Sequence, residues 1–158
     1  MKRILFAIVV LCALSVACEK ETVPQLSQID MSGEQDGKMY VYYRFVNMTG
    51  VPIHIAFLPP SIDIGIGSSI DNERDYVFVA ESSDKFYKPE EYIFELTVYY
   101  NPALPGIKMT YYEPTPGGPM SLSSWKEEVV DANSIIRTYT FTPEHYEDAK
   151  INGTPMGE

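Results

Sequence analysis

Few side chains in this sequence are equipped for covalent chemistry. It holds two histidines, His54 and His145, and two cysteines, Cys12 and Cys18. Nucleophilic hydrolysis needs a nucleophile, a base and a group that orients the base. No Gly-x-Ser-x-Gly elbow presents a serine. The histidines fall in different elements, His54 on the outward face of an expected strand and His145 in an expected terminal helical turn. Gly65-Ile66-Gly67-Ser68-Ser69 suggests a phosphate loop, but it lacks a third glycine, a lysine and a following helix, and reads as a strand-end turn. Asp71-Asn72-Glu73-Arg74-Asp75 is rich in oxygen ligands. Without EF-hand spacing or its bidentate glutamate it reads as a solvated turn. Glu90-Glu91 and Glu127-Glu128 are adjacent pairs. Neighbours on one strand or helix do not face the same cleft, so a glycosidase pair ~5–9.5 Å apart does not follow from them. No catalytic residue, metal site or cofactor is predicted.

Tyrosine is the residue type with some pull toward a ligand. Tyr99-Tyr100 precede the loop 101–106, and Tyr111-Tyr112 precede the proline-rich loop 114–119. Tyr40, Tyr42 and Tyr43 crowd the first expected strand. Side chains alternate along a strand, so one member of each adjacent pair must face away from the core. Outward tyrosines stack on sugars or make protein contacts. They are also good strand formers whose ordinary role is cross-strand packing. Tyr99, Tyr100, Tyr111 and Tyr112 are the candidate ligand-binding residues.

The elements that must position them are strands. From Met39 the apolar period is two: Met39, Val41, Tyr43 and Phe45 share one face, and Tyr40, Tyr42 and Arg44 the other. Asn47-Met48-Thr49-Gly50 supplies a turn, and Ile53, Ile55 and Phe57 continue the alternation until Pro59-Pro60 stops it. Ile62, Ile64 and Ile66 alternate next, and 67–75 reads as a polar loop. Val77 and Val79 mark another strand. So do Tyr92, Phe94, Leu96, Val98 and Tyr100, and after them Ile107, Met109 and Tyr111. Trp125 and Val129 at i and i+4 predict a short helix within 121–132. Ile135, Tyr139 and Phe141 form the last strand. Thr142-Pro143-Glu144 offers an N-cap, a first-turn proline and a first-turn acid, predicting a helical turn over 143–150. The pattern predicts an all-β, antiparallel, immunoglobulin-like β-sandwich of about seven strands with a short C-terminal helical turn. An open β-barrel is the competing architecture.

The chain begins differently. Lys2 and Arg3 precede an uncharged run from Ile4 to Ala17, shorter than the ~20 residues a permanent membrane helix requires. Leu14-Ser15-Val16-Ala17-Cys18 resembles the lipobox of bacterial lipoproteins, with Ser15 where that family usually has Leu. The resemblance implies cleavage before Cys18 and a diacylglycerol on its thiol. An ordinary secretory signal with an incidental cysteine is the alternative. Cys18-Glu19-Lys20-Glu21 resembles the export signal of surface-exposed Bacteroidetes-type lipoproteins. Tyr43 to Gly50, and the ending Tyr139 to Ala149, are similar to the opening and close of small uncharacterised lipoproteins of that kind. That family has no settled activity, so the resemblance implies an address and a fold. The expected organisation is a signal peptide over 1–17, a flexible tether over 18–38, a sandwich domain over 39–150 and a disordered tail over 151–158.

The formal charge is −10, and loss of Lys2 and Arg3 with the leader makes it two units more negative. Nucleic acid is an unsuitable partner, because its phosphates need lysine and arginine to displace counterions. With Cys12 removed and Cys18 acylated no disulfide forms, and stability rests on packing. The expectation is a non-catalytic lipoprotein held by an acyl anchor on Cys18 in the outer membrane of the cell envelope. It would be exposed at the surface and bind glycan or protein. The alternative is an accessory subunit of an outer-membrane complex or fimbria. An enzyme would need a deep pocket lined by perturbed acids or by His54.

Overall fold

The computed structural model describes residues 37–58, 66–93, 95–103 and 105–156. The leader, Cys18, almost all of the tether, and the expected strand positions Ile62 and Ile64 lie outside these residues. Among the described residues nine strands form two sheets. They are β1 (Met39–Asn47), β2 (Ile53–Leu58), β3 (Ile66–Ile70), β4 (Arg74–Ser82), β5 (Glu95–Tyr100), β6 (Ile107–Tyr111), β7 (Lys126–Val129), β8 (Ser134–Phe141) and β9 (Thr154–Pro155). One sheet has the order β4-β1-β8-β7, and the other β3-β2-β5-β6-β9. A single helical turn, α1 (Pro89–Tyr92), precedes β5, and α2 (Pro143–Asn152) follows β8.

The expected all-β sandwich is the observed fold. Its core is built from the faces that the period-two pattern marks. Val41, Tyr43 and Phe45 of β1 are buried, as are Ile53, Ile55 and Phe57 of β2 and Leu96, Val98 and Tyr100 of β5. Aromatic rings bridge the layers. Phe57 from one sheet meets Phe78 from the other with ring centroids 4.3 Å apart. Phe45 packs edge-on against Trp125 at 5.1 Å. The Asn47–Gly50 turn is held by side-chain bonds. Asn47 Nδ2 donates to the carbonyls of Val51 (2.8 Å) and Ile70 (2.9 Å), while its Oδ1 accepts from Thr49 N (3.0 Å) and Thr49 Oγ1 (2.7 Å). Gly50 closes the turn with φ of 86°, a conformation that glycine adopts without steric cost.

Tyr92, expected to open a strand, lies instead in the helical turn α1, and β5 starts at Glu95; the structure departs from expectation in four further places. Every strand pair is antiparallel except β1 with β8, which run parallel, with Tyr43 opposite Arg137. These strands are far apart in sequence, so no tight turn dictates their direction. The expected helix over 121–132 is a 3-10 turn (Leu122–Ser124) followed by β7. Trp125 drops into the core and donates from Nε1 to Pro119 O (2.8 Å), whereas Val129 is 70% exposed on an edge strand paired with β8. The two share no helical face. The expected loop 67–75 is taken up by the end of β3 and the start of β4, with Ser68 and Ile70 buried, and the turn proper is confined to 71–73. Finally, residues 151–156 are ordered against the sheet, contrary to the expected disordered tail. The helix runs on to Asn152, and β9 pairs Thr154 with Lys108 and Pro155 with Ile107. Gly153 permits this close approach, since a Cβ there would lie 2.5 Å from both Ala149 O and Ile107 Cγ2.

Candidate binding groove

A groove of about 630 Å³ opens where the end of β6, the loop after it and α2 converge. It is lined by Met109–Tyr112, Glu113, Thr115–Gly118, and Glu144, His145 and Asp148 of α2. Ala149 is fully buried, and the Tyr146 ring stacks on Tyr100 with centroids 5.5 Å apart. These contacts dock the helix beside β6 and bring its acidic residues to the groove.

His145 organises the wall. The helix starts at the N-cap Thr142, as the Thr-Pro-Glu signal predicts. His145 Nδ1 accepts from the Thr142 backbone N–H (3.0 Å). Tyr139 Oη donates to Gly117 O (2.9 Å) and lies 2.8 Å from His145 Nε2. With the Tyr139 proton given to Gly117, the remaining hydrogen bond requires Nε2 to carry the imidazole proton. One chain of bonds therefore ties the cap of α2 to the groove loop, where Gly117 has φ of 83°. Burial lowers the His145 pKa from the ordinary 6.5, with Glu144, Asp148 and the Gly117 carbonyl opposing the shift. The ring is neutral, and both nitrogens are engaged.

The four candidate tyrosines go to different places. Tyr100 is fully buried and forms part of the core, which removes it from any surface. Its side chain follows Leu96 and Val98 on the inward face of β5. Tyr99 is half-buried on the opposite face, opposite His54 with ring centroids 5.8 Å apart. His54 Nδ1 lies 3.1 Å from Ser69 Oγ. Tyr111 and Tyr112 line the groove, Tyr111 half-buried and Tyr112 64% exposed. Tyr99 and Tyr112 thus do not form one patch. Sequence reasoning missed Glu144, His145 and Asp148. The i, i+4 spacing of Glu144 and Asp148 on an expected helix was the available signal, but nothing in the sequence says that the helix lies against β6.

The candidate acids elsewhere are structural or exposed. Asp75 is held by Arg44 Nε at 2.6 Å. Glu127 pairs with the buried Arg137, which also donates to Tyr87 O. Among the described residues no three metal-ligating side chains converge, and no helix is long and apolar enough to cross a membrane. Comparison with known proteins returns no family model, no curated protein and no solved structure that matches the chain.

Proposed function

We propose that the chain is a non-catalytic binding module, anchored through an acylated Cys18 in the outer membrane and exposed at the cell surface. It would hold a glycan or protein ligand in the Tyr111–Tyr112 groove. One observation carries the reading: a concave surface with an exposed tyrosine on one wall and a hydrogen-bonded helix end on the other. Few, well-placed polar groups around an aromatic surface are the ordinary make-up of a ligand site. The commitment of both His145 nitrogens to neighbours supports a binding role over general-base chemistry. Anchoring follows from the lipobox-like Leu14–Cys18 stretch.

Two measurements test the two halves of the proposal. Tyr112→Ala should abolish ligand capture on glycan and peptide arrays while leaving the melting temperature unchanged. Equal capture by both proteins defeats the groove assignment. Mass spectrometry of the cell-extracted protein should find an acylated Cys18 at the amino terminus, and an unmodified thiol defeats the anchor. The accessory-subunit alternative would use an exposed strand edge. The edge strand β7 carries Lys126, Glu127 and Glu128, charges that discourage strand addition.

A further inference from the structure

The outward face of the β4-β1-β8 sheet is not bare. Alternation turns Tyr40, Tyr42 and Arg44 of β1, Val77 and Val79 of β4, and Ile136 of β8 away from the core. Tyr42, Val77 and Ile136 are nevertheless only 6%, 3% and 5% exposed, and they form an apolar cluster of their own. Among the described apolar residues only Tyr40 packs against it. Neither helix supplies a cover. α1 sets Tyr92 against Tyr43 on the inward face, and α2 lies against β6 of the other sheet. Arg44, paired with Asp75 at 2.6 Å, stands opposite Val77, but the ladder neighbours of Ile136 are Tyr42 and the exposed Glu128. Val79 shows this face uncovered: on the same strand as Val77 and pointing the same way, it is 42% exposed. The burial therefore needs a cover that spans Val77, Tyr42 and Ile136 and stops short of Val79.

We infer that the cover is residues 23–31 of the same chain, laid back over the sheet, with Val23, Leu26, Ile29 and Met31 as its apolar contacts. The place where this segment enters the fold favours it. Gly37, with φ of 80°, bends the backbone just before β1, the strand that carries Tyr40 and Tyr42. Met31 lies six positions before Gly37, a reach of up to ~20 Å. Three neighbouring strands span only about 10 Å. A second copy of the chain is a poorer occupant, because a stable interface takes ~20–30 residues a side and this cluster offers three. The docking stands apart from the acyl-anchor reading, but its consequence for the anchored protein rests on that reading. With residues 23–31 held on the sheet, Val23 is five positions from Cys18, at most ~18 Å. The domain would then sit close to the membrane on a short leash, instead of swinging on the nineteen positions that separate Cys18 from Gly37.

The test uses the full chain in a neutral detergent. A photo-crosslinking amino acid in place of Ile29 should join, within one chain, to peptides that hold Tyr42, Val77 or Ile136, as mapped by mass spectrometry of a digest. Leu26→Asp combined with Ile29→Asp should raise nitration of Tyr42 by tetranitromethane severalfold and lower the urea midpoint. Ser27→Asp combined with Gln28→Asp, equal in charge, should change neither. Equal effects of the two pairs overturn the apolar contact. Tyr42 nitration indifferent to Leu26→Asp with Ile29→Asp, or crosslinks that fall only on other peptides, overturn the inference. Crosslinks that join two chains overturn it in favour of a second copy. Acylation of Cys18 is read separately from the intact mass, so failure of the anchor and failure of the docking are told apart.

Discussion

At the scale of single residues, the groove's chemistry turns on how His145 is held. Its Nδ1 accepts from the Thr142 backbone N–H and stands 2.9 Å from Thr142 Oγ1, and its Nε2 faces the Tyr139 hydroxyl, so both ring nitrogens are engaged within the fold. The folded ring binds protons less readily than the unfolded one, because burial outweighs the pull of Glu144 and Asp148. Above pH 6.5 both states hold the ring neutral and the stabilisation is complete. As pH falls below that value the unfolded chain takes up a proton that the folded chain refuses, and stability declines until the folded ring titrates. Urea midpoints measured from pH 8 downward should show this decline, and His145→Gln should flatten it while keeping the cap. Glutamine can accept from the Thr142 amide and donate to Tyr139, but it does not titrate.

Two further residues give opposite expectations. Asn47 is fully buried and makes four hydrogen bonds. Asn47→Ala strands the carbonyls of Val51 and Ile70 and should cost about 2–3 kcal/mol by denaturant unfolding. Tyr100 carries a buried hydroxyl whose contact with Tyr111 falls short of a well-formed hydrogen bond, so Tyr100→Phe should leave stability unchanged or raise it by up to about 1 kcal/mol. A large loss would show that the hydroxyl has a partner after all. Asn47 was legible in sequence as part of an Asn-x-Thr-Gly turn. Its burial was not, because that depends on Ile70 arriving from β3.

At the scale of elements, legibility follows whether the deciding contact is local. β1, β2 and β5 declare themselves through alternation, since each places at least three apolar residues in succession on one face. The start of α2 declares itself through Thr142 and Pro143, whose effects reach only the first turn. β7 does not. Its four residues are all exposed, and only the ladder to β8 makes them a strand. Trp125 misleads for the same reason. One large apolar residue before a polar stretch suits either a helical face or a plug for the core, and the core position is fixed by Pro119 and by rings from β1. β9 is the extreme case, two residues whose strand character comes wholly from β6. Its docking depends on the absence of a side chain at Gly153. Gly153→Ala places a methyl against a carbonyl oxygen and Ile107, and should cost about 1–3 kcal/mol. Amide exchange of residues 154–156 should accelerate. Unchanged protection there would mean that the helix end can shift to make room.

At the scale of the whole molecule, two layers share a core that is unusually aromatic. Rings from β1, β2, β4 and β8 interlock with Trp125, and Tyr43 donates to Tyr87 O at 2.5 Å to tie the connecting loop down. The loss of one ring should be felt across both sheets. Phe45→Ala should cost about 3–5 kcal/mol by thermal or urea unfolding, and the near-ultraviolet signal of Trp125 should change with it. The layered class and the sandwich were legible from composition and period. The sheet order was not, because it is set by which distant faces fit.

The parallel partnership of β1 and β8 has a consequence for time as well as shape. The strand that opens the described domain lies beside one completed only at Phe141, with a ladder spanning Tyr40 to Asn47. Contacts so distant along the chain form late, after much loop-closure entropy has been lost. One edge of β1 can be matched by β4 once Ser82 is made, but the other edge waits for Phe141.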